Sequence, residues 1–386
     1  MRIAAFNVEN LFDRAKAFNQ PPADAQRIIG AVAELNALFE EENYTATRKN
    51  RMLELAEVLE LNRFNEGPFA LIRQIREAVF RRPQAGGIEV VADGRDDWIG
   101  WAELKTAPVD EIAVLNTGRV LRDVNADILA VIEAEDRVAL KKFTEFVFAQ
   151  VSEELPVALR PKPYANIMLI DGNDDRGIDV GLMTKSGFEI GLMRSHIQDL
   201  TAAGGTIYSR DCPEYAVTTP DGETIWILPN HFKSKFGGNN AASIAKREAQ
   251  ATRTKEIYES LRNSGEDNVV VLGDLNDTPD SDPLQPLLAQ TDLQDVSAHT
   301  LFEVGEFNVS ANNTNVGIGT FGLGNDNLKI DYVLLSPALF DRVTAAGLFR
   351  KGAWPGSMPK RWAVYESLTK PVHVASDHHA VWVDIH

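Results

Sequence analysis

An α/β layered fold follows from three features of this sequence. Short apolar runs rich in β-branched residues recur along it, longer stretches with helical spacing lie between them, and no apolar run approaches the ~18 residues needed to span a bilayer. The strand-like runs are RIAAFNV (2–8), DILAVIE (127–133), NIMLID (166–171), DVGLMT (179–184), TIWILPNH (224–231), NVVVLGD (268–274), KIDYVLLS (329–336) and HAVWVDI (379–385). Helical periodicity runs through 111–125, 137–151 and 241–262, the last with Asn240 placed to cap it. No internal repeat or low-complexity tract interrupts this order.

One segment departs from the alternation. Between about residues 24 and 110 the chain offers helical stretches at 25–42, 47–62 and 68–81, then a Gly-rich turn and the Trp-bearing GRDDWIGWAELK. It reads as a helical insertion within one catalytic domain spanning 1–386, serving either as an extra packing layer or as a lid or substrate wall.

Composition narrows the function classes. The chain has 386 residues, 44% of them hydrophobic, enough for a large buried core, and carries a formal charge of −17. That charge repels polyanions overall and weighs against avid nonspecific nucleic-acid binding, while leaving room for a local basic groove. The single cysteine, Cys212, rules out an internal disulfide and a cysteine zinc site. MRIAAFNVENLF has the look of a first strand rather than a secretory leader, so a cytoplasmic protein is expected, with secretion of a trimmed chain left open.

The polar groups that end or follow the buried-looking strands carry the chemistry. They are Asn7 and Glu9, Glu133, His231, Asp274 with Asn276 and Asp277 in GDLND, Asp331, and Asp377 and His378 in SDHH. A single Asp or His at a strand end is ordinarily a turn or cap. Repetition from distant segments points instead to a cleft edge where rigid strands present polar groups. Oxygen donors from Asn and carboxylates suit Mg²⁺, Mn²⁺ or Ca²⁺. Two histidines with carboxylates nearby suit phosphoryl oxygens and proton transfer. His196, His299, His373, His379 and His386 have no such context and are expected at the surface. Trp98, Trp101, Trp354 and Trp362 are expected in packing rather than along a substrate face, and the irregular 351–362 loop is the place to look for specificity.

FNVENLFD (6–13), DILAVIEAED (127–136), RGIDVGLM (176–183), NHFKSK (230–235), GDLND (273–277), KIDYVLLS (329–336) and SDHHAVWVDI (376–385) together resemble the endonuclease/exonuclease/phosphatase superfamily of deoxyribonuclease-like phosphoesterases. The resemblance covers 1–13 and about 115–386 and leaves the insertion unexplained. It implies a four-layer α/β sandwich, two packed mixed β-sheets flanked by helices. It also implies Mg²⁺, or Mn²⁺ or Ca²⁺, held by Glu133, Asn7 and Asp377. Ile132 stands where the family usually writes Gln. By the same resemblance Asp274 orients or deprotonates the attacking water, Asn276 holds water and phosphate, His378 and His231 contact the scissile phosphate, and Asp331 orients His378. Arg176 and Asp179 resemble a phosphate-side pair. Lys233 and Lys235 are either phosphate contacts or exposed loop lysines, and Glu9 is either structural or supports the metal ligands. The substrate expected is a small or short phosphodiester or phosphomonoester, the alternatives being nuclease action on DNA or RNA and, more remotely, a catalytically silent binding module.

Overall fold

The computed structural model of the chain describes residues 1–9, 22–84, 86–105, 110–174, 177–235, 240–305, 317–357 and 360–386. Two compact units emerge, one made of Met1–Phe12 with Val109–His386 and the other of Asp13–Pro108. In chain order the elements begin with β1 (Arg2–Asn7), α1 (Pro22–Phe39), α2 (Ala46–Val58), β2 (Ala70–Arg76), β3 (Phe80–Arg81), β4 (Glu89–Val90) and β5 (Ile99–Leu104). They continue with α3 (Glu111–Val124), β6 (Ile128–Ala134), α4 (Arg137–Phe143), α5 (Ala149–Glu153), β7 (Tyr164–Ile170), β8 (Asp179–Lys185), β9 (Glu189–Arg194), β10 (Glu214–Thr218) and β11 (Thr224–His231). The remainder are α6 (Ala241–Asn263), β12 (Val269–Asp274), α7 (Gln285–Leu288), β13 (Gln294–Asp295), β14 (Phe302–Glu303), β15 (Asp331–Leu335), α8 (Pro337–Phe340), β16 (Val343–Phe349) and β17 (Ala380–Ile385).

The larger unit holds two mixed sheets. One has the order β14-β16-β17-β1-β6-β8-β7 and the other β13-β15-β12-β11-β10-β9. Strand alternation builds the layers. Ile3, Ala5, Ile128, Ala130 and Ile132 from the first sheet meet Ile225, Ile227, Val270, Leu272, Val333 and Leu335 from the second. The intervening residues point outward. Ala4, Phe6, Leu129 and Val131 pack on α3 and α4 through Val120, Leu121, Leu140 and Phe143. Val269 and Val271 pack on α6 through Ala251, Ile257 and Leu261. The result is helices, sheet, sheet, helix, the four-layer sandwich. A one-residue slip would turn either apolar set into the wrong layer, at about 1.5–3 kcal/mol for each branched side chain displaced from a core, so the register is fixed.

Local signals account for the helix ends. Asn240 Oδ1 accepts from the Ser243 N–H at 2.9 Å and starts α6, while Asn125 at φ 54° closes α3. The helix expected over 137–151 is interrupted by a π-helical turn at Thr144–Phe148 between α4 and α5.

The smaller unit has its own core, with Trp98 fully buried among Phe39, Leu35, Leu55 and Ile72. Its Nε1–H donates to Tyr44 Oη at 2.9 Å. Here one expectation is corrected: residues 68–81 form strands, not a helix. β2 pairs antiparallel with β5, Ala70 and Ile72 facing in while Arg73 and Ile75 face out. The apolar spacing of Leu71, Ile72, Ile75 and Val79 suits a helix, but pairing with a strand about thirty residues away decides the outcome. No helix among the described residues is long and apolar enough to cross a membrane.

Candidate active site

The alternation that builds the interlayer core also builds the site. Asn7 continues the inward series of Ile3 and Ala5; Asp274 continues Val270 and Leu272; His231 continues Ile225 and Ile227; Asp331 lies two residues before Val333. His231, Asp274 and Asp331 form one row across β11, β12 and β15, paired in register. At this end of the sandwich the apolar core gives way to polar side chains that are almost entirely buried.

Glu133 arrives by a different device. Asn7 is registered with Ile132, but between Ile132 and Ala134 the pairing of β6 with β8 shifts by one residue, and Glu133 takes φ 68°. This bulge re-aims the carboxylate to within 3.6 Å of His231 Nε2. Glu9 at φ 51° and Asn276 at φ 53° are also left-handed, so three strained non-glycine residues gather at this end. Gly273 immediately precedes the row, paired with Asn230 and Tyr332, and takes φ 124°, where a Cβ would come 2.1 Å from the Asn230 carbonyl oxygen.

Asp274 is the hub. Its Oδ2 accepts from Asn7 Nδ2 at 3.1 Å and its Oδ1 from the Asn276 backbone N–H at 2.8 Å. His231 Nε2 lies 3.7 Å and His378 Nε2 3.9 Å from Oδ2. The opposite nitrogen of His378, Nδ1, donates to Asp331, with its oxygens at 2.9 and 3.1 Å. Asp377 Oδ1 lies 3.8 Å from His378 Nε2, and the Asp377 N–H donates to Glu9 Oε2 at 3.1 Å. The Glu9 N–H in turn donates to Asn7 Oδ1 at 3.0 Å. Glu9 thereby ties the first strand to the carboxy-terminal motif.

Electrostatics follow from this crowding. Burial, and then the charge of Asp331, push the Asp274 carboxyl up to about 7, against the pull of His378 and the Asn276 N–H. Burial opposes charge on His378, yet Asp331, Asp274 and Asp377 outweigh it and hold the imidazole well above its ordinary range. The site therefore pairs a carboxyl with a raised affinity for a proton with an imidazole whose proton-bound form is favoured by Asp331. The ligand-type atoms of Asp274, Asp331 and His378 lie within 4.8 Å of one another. Because both oxygens of Asp331 are engaged by His378, Asp331 is better placed to orient that ring than to bind an ion.

The structure brings together Asn7, Glu133, His231, Asp274, Asn276, Asp331, Asp377 and His378. The remaining candidates have other partners. Asp277, the second carboxylate of GDLND, faces Arg247 Nε at 2.9 Å and Lys235 Nζ at 2.5 Å. Lys235 is thus spent on Asp277. The Lys233 N–H donates to Gln250 Oε1 at 2.8 Å. Asp179 accepts from the Gly172 N–H at 2.7 Å, and burial raises its carboxyl to about 7 with help from Asp171 and Asp174. Arg176 lies outside the described residues.

The histidine expectation needs correction. His373 and His379 are buried, the latter with its ring 5.2 Å from Trp362, and burial beside Arg350 holds His379 well below its ordinary range. His196 is largely enclosed, between Asp199 at Nδ1 and Glu214 at Nε2, each at 2.9 Å. Among the tryptophans, Trp98 and Trp362 are buried and Trp101 is exposed. Buried Arg210 and Arg247, which brace the site's backbone, gave no signal in the sequence, since an arginine before a strand or inside a helix looks like a solvated one.

Residues 116–351, more than half of the chain, match the family model described as Endonuclease/Exonuclease/phosphatase family. No curated protein matches. Among solved structures, a family protein from Bacteroides thetaiotaomicron is 14% identical, covering 70% of this chain and 87% of its own, with TM-score 0.47. A mannosyl-6-phosphatase from the same organism is 14% identical over 71% and 90%, with TM-score 0.46. The human Nocturnin catalytic domain with bound sulfate is 14% identical over 72% and 87%, with TM-score 0.47. The chain belongs to the endonuclease/exonuclease/phosphatase family, whose members hydrolyse phosphoester bonds.

Proposed function

We propose that this protein hydrolyses a small or short phosphodiester or phosphomonoester with the help of a divalent cation, Mg²⁺ before Mn²⁺ or Ca²⁺. The observation that carries the reading is the row His231–Asp274–Asp331, with Asn7 reaching Asp274 and Glu133 reaching His231 from the other sheet. The donor set fits a hard cation: Glu133, Asp377 and Asn7 offer oxygens, and Glu133 and Asp274 lie 3.6 and 3.7 Å from His231 Nε2. Glu133, Asn7 and Asp377 would hold the ion, which when bound offsets charge on the leaving oxygen.

The protein's own groups do the rest. Asp274, held by Asn7 on one oxygen and by the Asn276 N–H on the other, orients the attacking water and takes its proton. His378, kept cationic and aimed by Asp331, donates to a phosphoryl oxygen, and His231 contacts another. Asn276 holds water and phosphate in line. A small substrate is favoured because the chain's charge is −17 and because Lys235, Arg247 and Arg210 already face carboxylates.

The test is a panel of phosphoesters, from a chromogenic diester and monoesters to plasmid DNA, assayed after EDTA treatment and with Mg²⁺, Mn²⁺ or Ca²⁺ restored. Chelation is expected to abolish turnover with the fold intact, and Mg²⁺ or Mn²⁺ to restore it. Full turnover in excess chelator would overturn the metal reading; preference for plasmid DNA would overturn the substrate reading.

A further inference from the structure

Arg210 is 1% exposed and precedes β10, outside every motif that suggested the site. Its Nη1 lies 3.0 Å from Asp174 Oδ2, in the β7–β8 connection, and its Nη2 donates to the Phe232 carbonyl oxygen at 2.6 Å. Phe232 follows His231 directly. The same carbonyl accepts from Asn276 Nδ2 at 3.2 Å, and the Phe232 N–H donates to the Asp274 carbonyl oxygen at 2.9 Å. The backbone N–H and C=O of one residue, Phe232, are therefore bonded to Asp274 on one side and to Asn276 and Arg210 on the other.

We propose that Arg210 is a positioning residue for the hydrolysis described above, acting through the Phe232 carbonyl on the side-chain amide of Asn276. The inference rests on that functional reading. A carbonyl oxygen has two lone pairs, and here two donors use them. The guanidinium fixes where the carbonyl sits; the carbonyl then fixes which face of the Asn276 amide is turned inward, because Nδ2 is committed to it. Asn276 needs such a tether, since its backbone is left-handed at φ 53° and its N–H also holds Asp274 Oδ1. Arg210 is too enclosed to be a substrate contact. Its fork bridges Asp174, in the β7–β8 connection of one sheet, and Phe232, just past the end of β11 in the other, a span that a single ammonium does not reproduce.

The test is a double-mutant cycle between Arg210→Lys and Asn276→Ala, with kcat and KM measured on the best substrate of the panel and folding checked by thermal unfolding. Arg210→Lys is expected to lower kcat by about tenfold or more while KM stays within about threefold, the pattern of lost transition-state alignment. In the Asn276→Ala background the same change is expected to cost less than about threefold, because the group it positions is already gone. Equal cost in both backgrounds, or full kcat in Arg210→Lys, would overturn the inference and leave the proposed function standing. A folded wild type with no turnover on any phosphoester would overturn the proposed function and, with it, this role. If Arg210→Lys does not fold, Asp174→Asn takes its place in the cycle. It keeps the guanidinium but loosens its anchor, with a several-fold loss of kcat that vanishes in the Asn276→Ala background as the expected result and an undiminished loss there as the contrary one.

Discussion

At the scale of single residues, position in the alternation decides protonation. Asp274 faces the interlayer space because Val270 and Leu272 do, and that burial, with Asp331 beside it, raises its affinity for a proton. A carboxylate at a turn in water would gain nothing of the kind. His196 illustrates the same logic away from the site. Both ring nitrogens face carboxylates that only accept, so the ring is at home only when both carry protons. Burial opposes that charge, but Glu214 and Asp199 outweigh it and raise the imidazole above its ordinary range. A raised folded-state value stabilises fully below the unfolded value and loses that contribution as pH rises through the folded one. Between pH ~6 and ~9 the wild type is therefore expected to lose about 1 kcal/mol more stability than His196→Gln, measured by urea unfolding at each pH. Parallel pH profiles would remove the charge from the ring. The sequence places Asp274, His231 and His378 at strand ends, which is legible because an apolar run followed by Asp or His is unusual. It does not reveal that His196 is caged, because Asp199 is local but Glu214 belongs to a strand that sequence periodicity did not mark.

At the scale of elements, a bulge and a glycine set the geometry. Glu133 ends a strand whose apolar run is plain in the sequence, yet its direction depends on the extra residue between Ile132 and Ala134, which only pairing with β8 creates. Gly273 is the complementary case. Its φ of 124° and the 2.1 Å approach to the Asn230 oxygen leave no room for a side chain between two paired strands. Gly273→Ala is expected to destabilise the fold by about 2–3 kcal/mol and to lower turnover further than stability alone explains, because the strands it would push apart carry His231 and Asp274 at the next position. Denaturant unfolding and kinetics on the same preparation check this, and an unchanged midpoint would show that the strands part without strain. The misread 68–81 segment has the same origin. Helical spacing is local information, whereas the β2–β5 ladder joins residues far apart in sequence. The parallel and antiparallel partners of β1, β6 and β12 were likewise invisible in the sequence, although their existence as strands was clear.

At the scale of the whole molecule, charge bears on the proposed substrate and layering on the site. The chain's formal charge of −17 repels a polyanion, and Lys235, Arg210 and Arg247 are matched by Asp277 and Asp174, which weighs against tracking a phosphate backbone. kcat/KM on a small diester is therefore expected to change less than about threefold between about 50 and 200 mM salt, whereas an enzyme neutralising six or more backbone phosphates would lose about 10³-fold. A steep salt dependence would move the substrate toward nucleic acid. The four layers explain why so acidic a chain folds around buried carboxylates. Two apolar interfaces and an interlayer core hold the strands, and the strand ends can then carry groups that repel one another. The measurement that bears most directly on the account is the turnover of Asp274→Asn, which keeps the shape of the side chain and removes the base. With Mg²⁺ and the best substrate of the panel, kcat is predicted to fall by about 10²-fold or more in a protein that unfolds at or above the wild-type temperature; turnover within about threefold of wild type would contradict it and remove Asp274 from the chemistry.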